Sequence, residues 1–166
     1  MTTVTAPGKI ILCGEYAVLD GASAICMAIN RRARAKVCAV NAGFHTVRTS
    51  GHVDGEWKFR VDENGSFEWF RREPPADSLE LLQQIWKTIS INGEFDIVLN
   101  TEEFLDPASQ LKLGLGSSAA LTIALITALS NVLGIPLDAG SEAVKVHRLF
   151  QHGRGSGVDI AASLNG

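Results

Sequence analysis

The sequence predicts an α+β fold, a mixed sheet with helices packed on it, from three observations. Short strand-like runs crowd the chain before Pro74-Pro75. Helical periodicity appears only after that point, and one further strand interrupts it. The 166 residues are the length of one domain, 1–166, large enough to bury about two-thirds of its unfolded surface. Ile10 to Leu12 and Ala24 to Ile29 are apolar runs. Asn30 to Val40 sets Arg32, Arg34 and Lys36 against Ala33, Ala35 and Val37, the alternation of a half-exposed strand. Phe44 to Thr49, Trp57 to Val61 and Phe67 to Phe70 follow, with turns at Gly51, Asp54-Gly55 and Asn64-Gly65. Asp77 or Ser78 is the expected cap of a helix carrying Leu79, Leu82, Ile85 and Ile89. Phe95 to Leu99 is another strand. Ser117 to Leu133 is a long apolar helix stopped by Gly134 and Pro136, and Asp138 caps a third helix running to about Phe150.

Composition excludes several classes. Apolar residues make up 46% and charged residues 20%, so the chain has the material for a core and is not disordered. Fifteen cations against eighteen carboxylates give −3, which supplies no global basic field for nucleic acid or an anionic membrane. Cys13, Cys26 and Cys38 are an odd count without zinc-ligand spacing, and read as reduced, buried thiols of a cytosolic protein. Residues 1–9 lack a charged segment followed by an apolar one, so a cytoplasmic location is expected. Ala119 to Leu133 is about one turn too short to span a bilayer and is interrupted by Thr, Ser and Asn. Asn64-Gly65-Ser66 has the form of a glycosylation acceptor but reads as a turn.

The most informative segment is Leu111-Lys112-Leu113-Gly114-Leu115-Gly116-Ser117-Ser118-Ala119-Ala120. Two glycines lead into the long helix, with a serine pair at its first turn. Glycine permits positive φ and close approach of a ligand, and a helix start offers free N–H groups and a positive dipole end to phosphate. The hydroxyls of Ser117 and Ser118 suit phosphate oxygens or the shell of a magnesium ion. Three readings stand side by side. One is a glycine turn with a serine cap. The second is a dinucleotide fingerprint, against which counts the polar, Pro-containing stretch between Asn100 and the loop. The third is a triphosphate site that is not a Walker loop, since no Gly-Lys-Ser/Thr follows.

Two further clusters are weak singly. Ala6-Pro7-Gly8-Lys9 precedes Ile10-Ile11-Leu12-Cys13 and then Gly14-Glu15-Tyr16-Ala17-Val18-Leu19. A lysine at a strand start is ordinarily solvated. Gly153-Arg154-Gly155-Ser156-Gly157-Val158-Asp159 is a glycine-rich bend delivering one carboxylate, and an Asp after glycines is more often a turn residue than a base.

Taken in order, Ala6–Leu19, Lys112–Ala120 and Gly155–Asp159 closely resemble the GHMP family of small-molecule kinases. Within it, Gly14-Glu15-Tyr16-Ala17-Val18-Leu19, the approach Leu111-Lys112-Leu113 and Gly155-Ser156-Gly157-Val158-Asp159-Ile160-Ala161 are similar to the phosphomevalonate kinase branch. Mevalonate kinases carry a magnesium-binding Glu eleven residues before the Asp, a position held here by Arg148.

The resemblance implies the N-terminal domain of the GHMP kinase fold, the ribosomal protein S5 domain 2-like arrangement, and ATP-dependent phosphorylation of a small-molecule acceptor, phosphomevalonate first. Mevalonate, a sugar or homoserine is the alternative acceptor, and a non-catalytic nucleotide-binding fragment the alternative role. It implies ATP bound by Gly114, Leu115, Gly116, Ser117, Ser118 and Ala119, with Mg²⁺ at Ser117 or Ser118. Lys9 and Asp159 become catalytic, and Glu15, Tyr16, Gly157 and Arg154 substrate-binding. His147, Arg148, His152 and Arg154 form a local basic cluster that reads equally as an exposed helix end or a substrate contact. The partner expected is a small molecule, not nucleic acid or a membrane, and a homodimer is left open. Members of the family continue into a second domain, so a missing C-terminal domain or a partner chain is expected beyond Gly166.

Overall fold

The computed structural model describes residues 1–153 and 155–166. Six strands form one mixed sheet: β1 (Thr2–Cys13), β2 (Ile25–Val40), β3 (His45–Ser50), β4 (Gly55–Val61), β5 (Phe67–Phe70) and β6 (Glu94–Asn100). Their order across the sheet is β1-β2-β6-β3-β4-β5. All neighbours are antiparallel except β3 and β6, which run parallel from Thr46↔Asp96 to Ser50↔Asn100. A parallel pair needs a crossover. Here β4, β5 and helix α1 (Glu80–Thr88) supply it.

The other helices are α2 (Ser117–Leu133), α3 (Ala139–Phe150) and α4 (Val158–Asn165). Helix α2 lies on β1 and β2, α4 lies on the same strands beside α2, and α3 packs outside them against α1, α2 and α4. Ala33, Ala35 and Val37 of β2 are fully buried under these helices, while Arg34 and Lys36 are exposed on the open face. On that face Arg48 holds Asp96 at 2.6 Å. This is the α+β mixed sheet expected.

Several local expectations change. The two separate runs before Val40 are one sixteen-residue strand. Strand β1 begins at Thr2 and passes through Pro7-Gly8, with a register shift between those two residues. Proline is tolerated there because β1 is an edge strand. Neither Asp77 nor Ser78 caps α1. Leu79 occupies the cap, Asp77 has φ 62°, and the Ser78 hydroxyl donates to the Pro75 carbonyl at 2.7 Å. Asp138 does cap α3, its Oδ1 accepting from the N–H groups of Gly140 and Ser141 at 3.1 and 3.2 Å. Helix α4 was not expected at all. The cysteines are free but not buried: Cys13 is exposed, and Cys26 and Cys38 are half-buried. Among the described residues no helix is long and apolar enough to cross a membrane.

Candidate active site

Strand β1 and the loop before α2 are joined by one backbone bond, Lys9 N–H donating to the Leu115 carbonyl at 2.8 Å. Gly8 makes that approach feasible. A Cβ there would lie 2.5 Å from Leu115 O and 2.5 Å from the Phe104 ring. Gly114 and Gly116 both take left-handed backbone, φ 72° and 76°, which costs an L-residue about 1–2 kcal/mol. Gly116, not a serine, is the N-cap of α2, and no side chain caps the helix. The serine-cap reading of this loop is therefore not what forms. The helix's own bonding begins with Ala120 N–H to Gly116 O at 3.1 Å, so the preceding N–H groups of the first turn have no partner within the helix. With no acidic side chain in that turn, the positive end of the dipole stands open to an anion.

Lys9 is not a solvated strand start. It is 9% exposed, and its Nζ lies 3.0 Å from Asp159 Oδ1. Its stem runs past Gly116, where a Cβ would come within 3.0 Å of Lys9 Cγ. Asp159 sits in the first turn of α4, where the helix dipole favours a carboxylate. A largely buried ammonium needs such a partner. Gly157 is the left-handed N-cap of α4. The pair thus bridges the starts of α2 and α4.

The expected basic cluster divides. His147 is 2% exposed, with Nε2 3.2 Å from Ser118 Oγ. Burial holds its pKa below the usual histidine range, Asp159 partly opposing and Lys9 adding to the effect. Arg148 and His152 are exposed. Arg154 lies outside the described residues. The inward turn of His147 had a legible signal, since Ala143, Val146 and His147 follow helical spacing on the buried side of α3. Glu15 and Tyr16 lie on the turn after β1, and the Tyr16 side chain is 80% exposed. The structure does not bring them into hydrogen-bond contact with Lys9 or Asp159.

Beside the serine pair opens a cleft lined by Thr49, Ser50, His52, Leu79, Ser117 and Ser118 among others. Lys112 also borders it, its pKa lowered by burial, and His52 is lowered by burial and then by Lys112. A mostly apolar cleft with a few polar groups suits a small organic ligand. Its walls come from the end of β3 and the start of α1, which no motif marks. For magnesium, the donors present are the Ser117 and Ser118 hydroxyls, with Asp159 nearby but engaged by Lys9. Among the described residues no group of three or more His, Cys, Asp and Glu could hold a metal ion. Magnesium keeps several waters and binds through few protein oxygens plus phosphates, so hydroxyls beside an uncapped helix start fit it.

The model of the GHMP kinases N terminal domain matches residues 78–166. The chain belongs to the GHMP kinase family. The match includes the serine loop and Asp159 but not Lys9. A mevalonate kinase of Methanothermobacter thermautotrophicus is 30% identical over 167 residues, covering 99% of this chain and 48% of the relative. A phosphomevalonate kinase of Saccharolobus solfataricus is 29% identical over 177 residues, covering 100% and 48%. The solved Streptococcus pneumoniae phosphomevalonate kinase in complex with phosphomevalonate and AMPPNP superposes with a TM-score of 0.73 at 19% identity, over 98% of this chain and 47% of that one. The last comparison shows the fold alone. This GHMP kinase chain spans about half the length of the curated relatives it matches.

Proposed function

We propose that this chain is the nucleotide-gripping part of an ATP-dependent small-molecule kinase of the mevalonate pathway, with phosphomevalonate as acceptor. The observation that carries this reading is the Lys9–Asp159 pair at 3.0 Å beside the uncapped start of α2. Phosphoryl transfer demands positioning and charge stabilisation more than covalent chemistry. Free N–H groups from Leu115 to Ala119 cradle the β- and γ-phosphates, while the apolar cleft takes the base. Ser117 and Ser118 would hold Mg²⁺, whose chemistry is to neutralise charge developing on the phosphates. The Lys9 ammonium faces the γ-phosphate and the acceptor.

Asp159 holds Lys9 in place. An acceptor phosphate, with a second pKa of about 6, is largely ionised at neutral pH and hardly needs a base. That division of labour favours a phosphorylated acceptor over an alcohol. Mevalonate or another alcohol is the second reading, in which Asp159 takes the hydroxyl proton. Mevalonate kinases among the relatives favour it. The half-length coverage supports a further domain or partner chain completing the site, in an enzyme we place in the cytoplasm.

ATP consumption measured with phosphomevalonate, mevalonate, homoserine and galactose tests the acceptor, on this chain and on the product of the whole reading frame. Turnover with phosphomevalonate alone is expected. Turnover only with an alcohol transfers the reading to the second acceptor class. Magnesium-nucleotide binding without any turnover in either sample reduces it to a nucleotide-binding module.

A further inference from the structure

We propose that His147 is a positioning residue: its Nε2 accepts the hydrogen of the Ser118 hydroxyl and so turns the Oγ lone pairs toward the cation that accompanies a bound triphosphate. The inference rests on the phosphate reading of the serine loop and goes beyond it by naming what orients the serine. Helix α3 presents Ala143, Val146 and His147 inward while Lys145 and Arg148 are exposed. The imidazole thereby sits behind the loop, 3.2 Å from Ser118 Oγ, with 2% of the residue exposed. Among the described residues, the charged groups facing it are Asp159 of α4 and Lys9 of β1.

The direction of the bond follows from what the site has and what it lacks. A serine hydroxyl has one hydrogen and two lone pairs. Hydrogen-bond donors are in surplus at the start of α2, where the first-turn N–H groups and the Lys9 ammonium converge. Oxygen acceptors are scarce, because the nearby carboxylate, Asp159, is engaged by Lys9. A hydroxyl that gives its hydrogen to His147 adds an acceptor where a cation needs one. A hydroxyl that accepted from Nε2–H would instead add another donor to the surplus. Residues behind a metal ligand fix its orientation in this way, and their loss typically costs 10–100-fold in metal affinity.

Two measurements test the proposal. The first needs no ligand. A two-bond ¹H–¹⁵N spectrum of the histidine-labelled protein should show His147 as the Nδ1-protonated tautomer, its Nε2 resonance moving in Ser118→Ala. An Nε2-protonated ring, or no response to Ser118→Ala, overturns it. The second compares Mn²⁺ affinity in the presence of a non-hydrolysable ATP analogue with affinity for the metal-free analogue. His147→Leu should weaken Mn²⁺ binding by about tenfold or more and leave the metal-free affinity unchanged. His147→Gln, which can place an amide oxygen near the Nε2 position, should recover most of the loss. Equal loss of both affinities, or loss of neither, overturns the proposal. If the native protein binds no nucleotide, the phosphate reading fails together with the cation role of Ser118. The ring tautomer still decides the hydrogen bond.

Discussion

The two ends of the sheet are packed by opposite means. At the β4–β5 end, rings fill the space. The Phe59 ring lies 4.7 Å from His45, 4.8 Å from Phe67 and 5.8 Å from Trp86 of α1. At the β1–β2 end, the sheet presents Ala6, Ala33 and Ala35, and α2 answers with Ala119, Ala120, Ala124 and Ala128, all buried. Rings supply area, which is what burial free energy follows. Alanines supply little area but let a helix backbone come close to a strand. Closeness is what the candidate site requires, since Lys9 N–H must reach Leu115 O and Lys9 Nζ must reach Asp159. Ring burial is thus concentrated at one end of the sheet and the candidate site at the other, and substitutions should separate the two.

The largest effect should come from the aromatic end. Phe59 has no exposed surface, and Phe59→Ala should cost about 3–5 kcal/mol in urea unfolding. Nucleotide affinity per folded molecule should stay the same. A parallel fall in that affinity would break the separation. Next comes Lys9→Ala at the other end, under the proposed function. Turnover of the whole gene product should drop about 10²-fold or more, roughly 2.7 kcal/mol of barrier. The midpoint of unfolding should fall as well, because the stem packed past Gly116 is lost and the mostly buried Asp159 side chain loses its partner, so turnover is read per folded molecule. Unchanged turnover would remove the pair from the chemistry.

What could be read in advance follows the same division. The limits of α2 were legible because an apolar run is bracketed by Gly116 and Gly134, and both take left-handed backbone. The alternation of Arg32, Arg34 and Lys36 with Ala33, Ala35 and Val37 was legible because one face of β2 is covered and the other is open. The full length of β1 was not, because Pro7-Gly8 reads as a break and only the tertiary position of β1 at the sheet edge makes the proline harmless. Helix α4 was missed for want of a capping side chain, its N-cap being Gly157. The motifs named Lys9, Ser118 and Asp159 singly. Their assembly depends on β1, α2 and α4 meeting, which no local pattern encodes. The cleft beside Ser118 is less legible still, for its far wall is the end of β3 and the start of α1.

A smaller effect sharpens the contrast from the alanine side. Ala124 has no exposed surface on α2, and Ala124→Leu should cost about 1–3 kcal/mol by overpacking. Unlike Phe59→Ala, it should also weaken nucleotide binding, because lifting α2 from β2 carries the serine loop away from β1. Calorimetry on the folded variant checks this, and an unaltered affinity would mean that the loop is held independently of the helix. Smaller again is Asp138→Ala, which removes the α3 cap for about 1 kcal/mol. Since the cap lies at the end of α3 away from His147, affinity should not follow.

The last effect is a pH dependence that His45 brings to the aromatic end. His45 is stacked between Phe59 and Phe95, and its Nδ1 accepts the Phe95 N–H at 3.2 Å. Burial holds its pKa below the usual histidine range, with Glu94 partly opposing. The other ring against it, Trp86, carries no charge. Below about pH 7 the unfolded chain therefore takes up a proton before the folded one does. His45 thus contributes stability above the ordinary histidine range, and loses it as pH falls through that range toward the lowered folded value. His45→Gln keeps an acceptor for Phe95 and cannot titrate. The stability difference between the two proteins should be flat above about pH 7 and should narrow on acidification, with a slope of up to about 1.4 kcal/mol per pH unit. A difference independent of pH would mean that the imidazole is as easily charged in the fold as outside it.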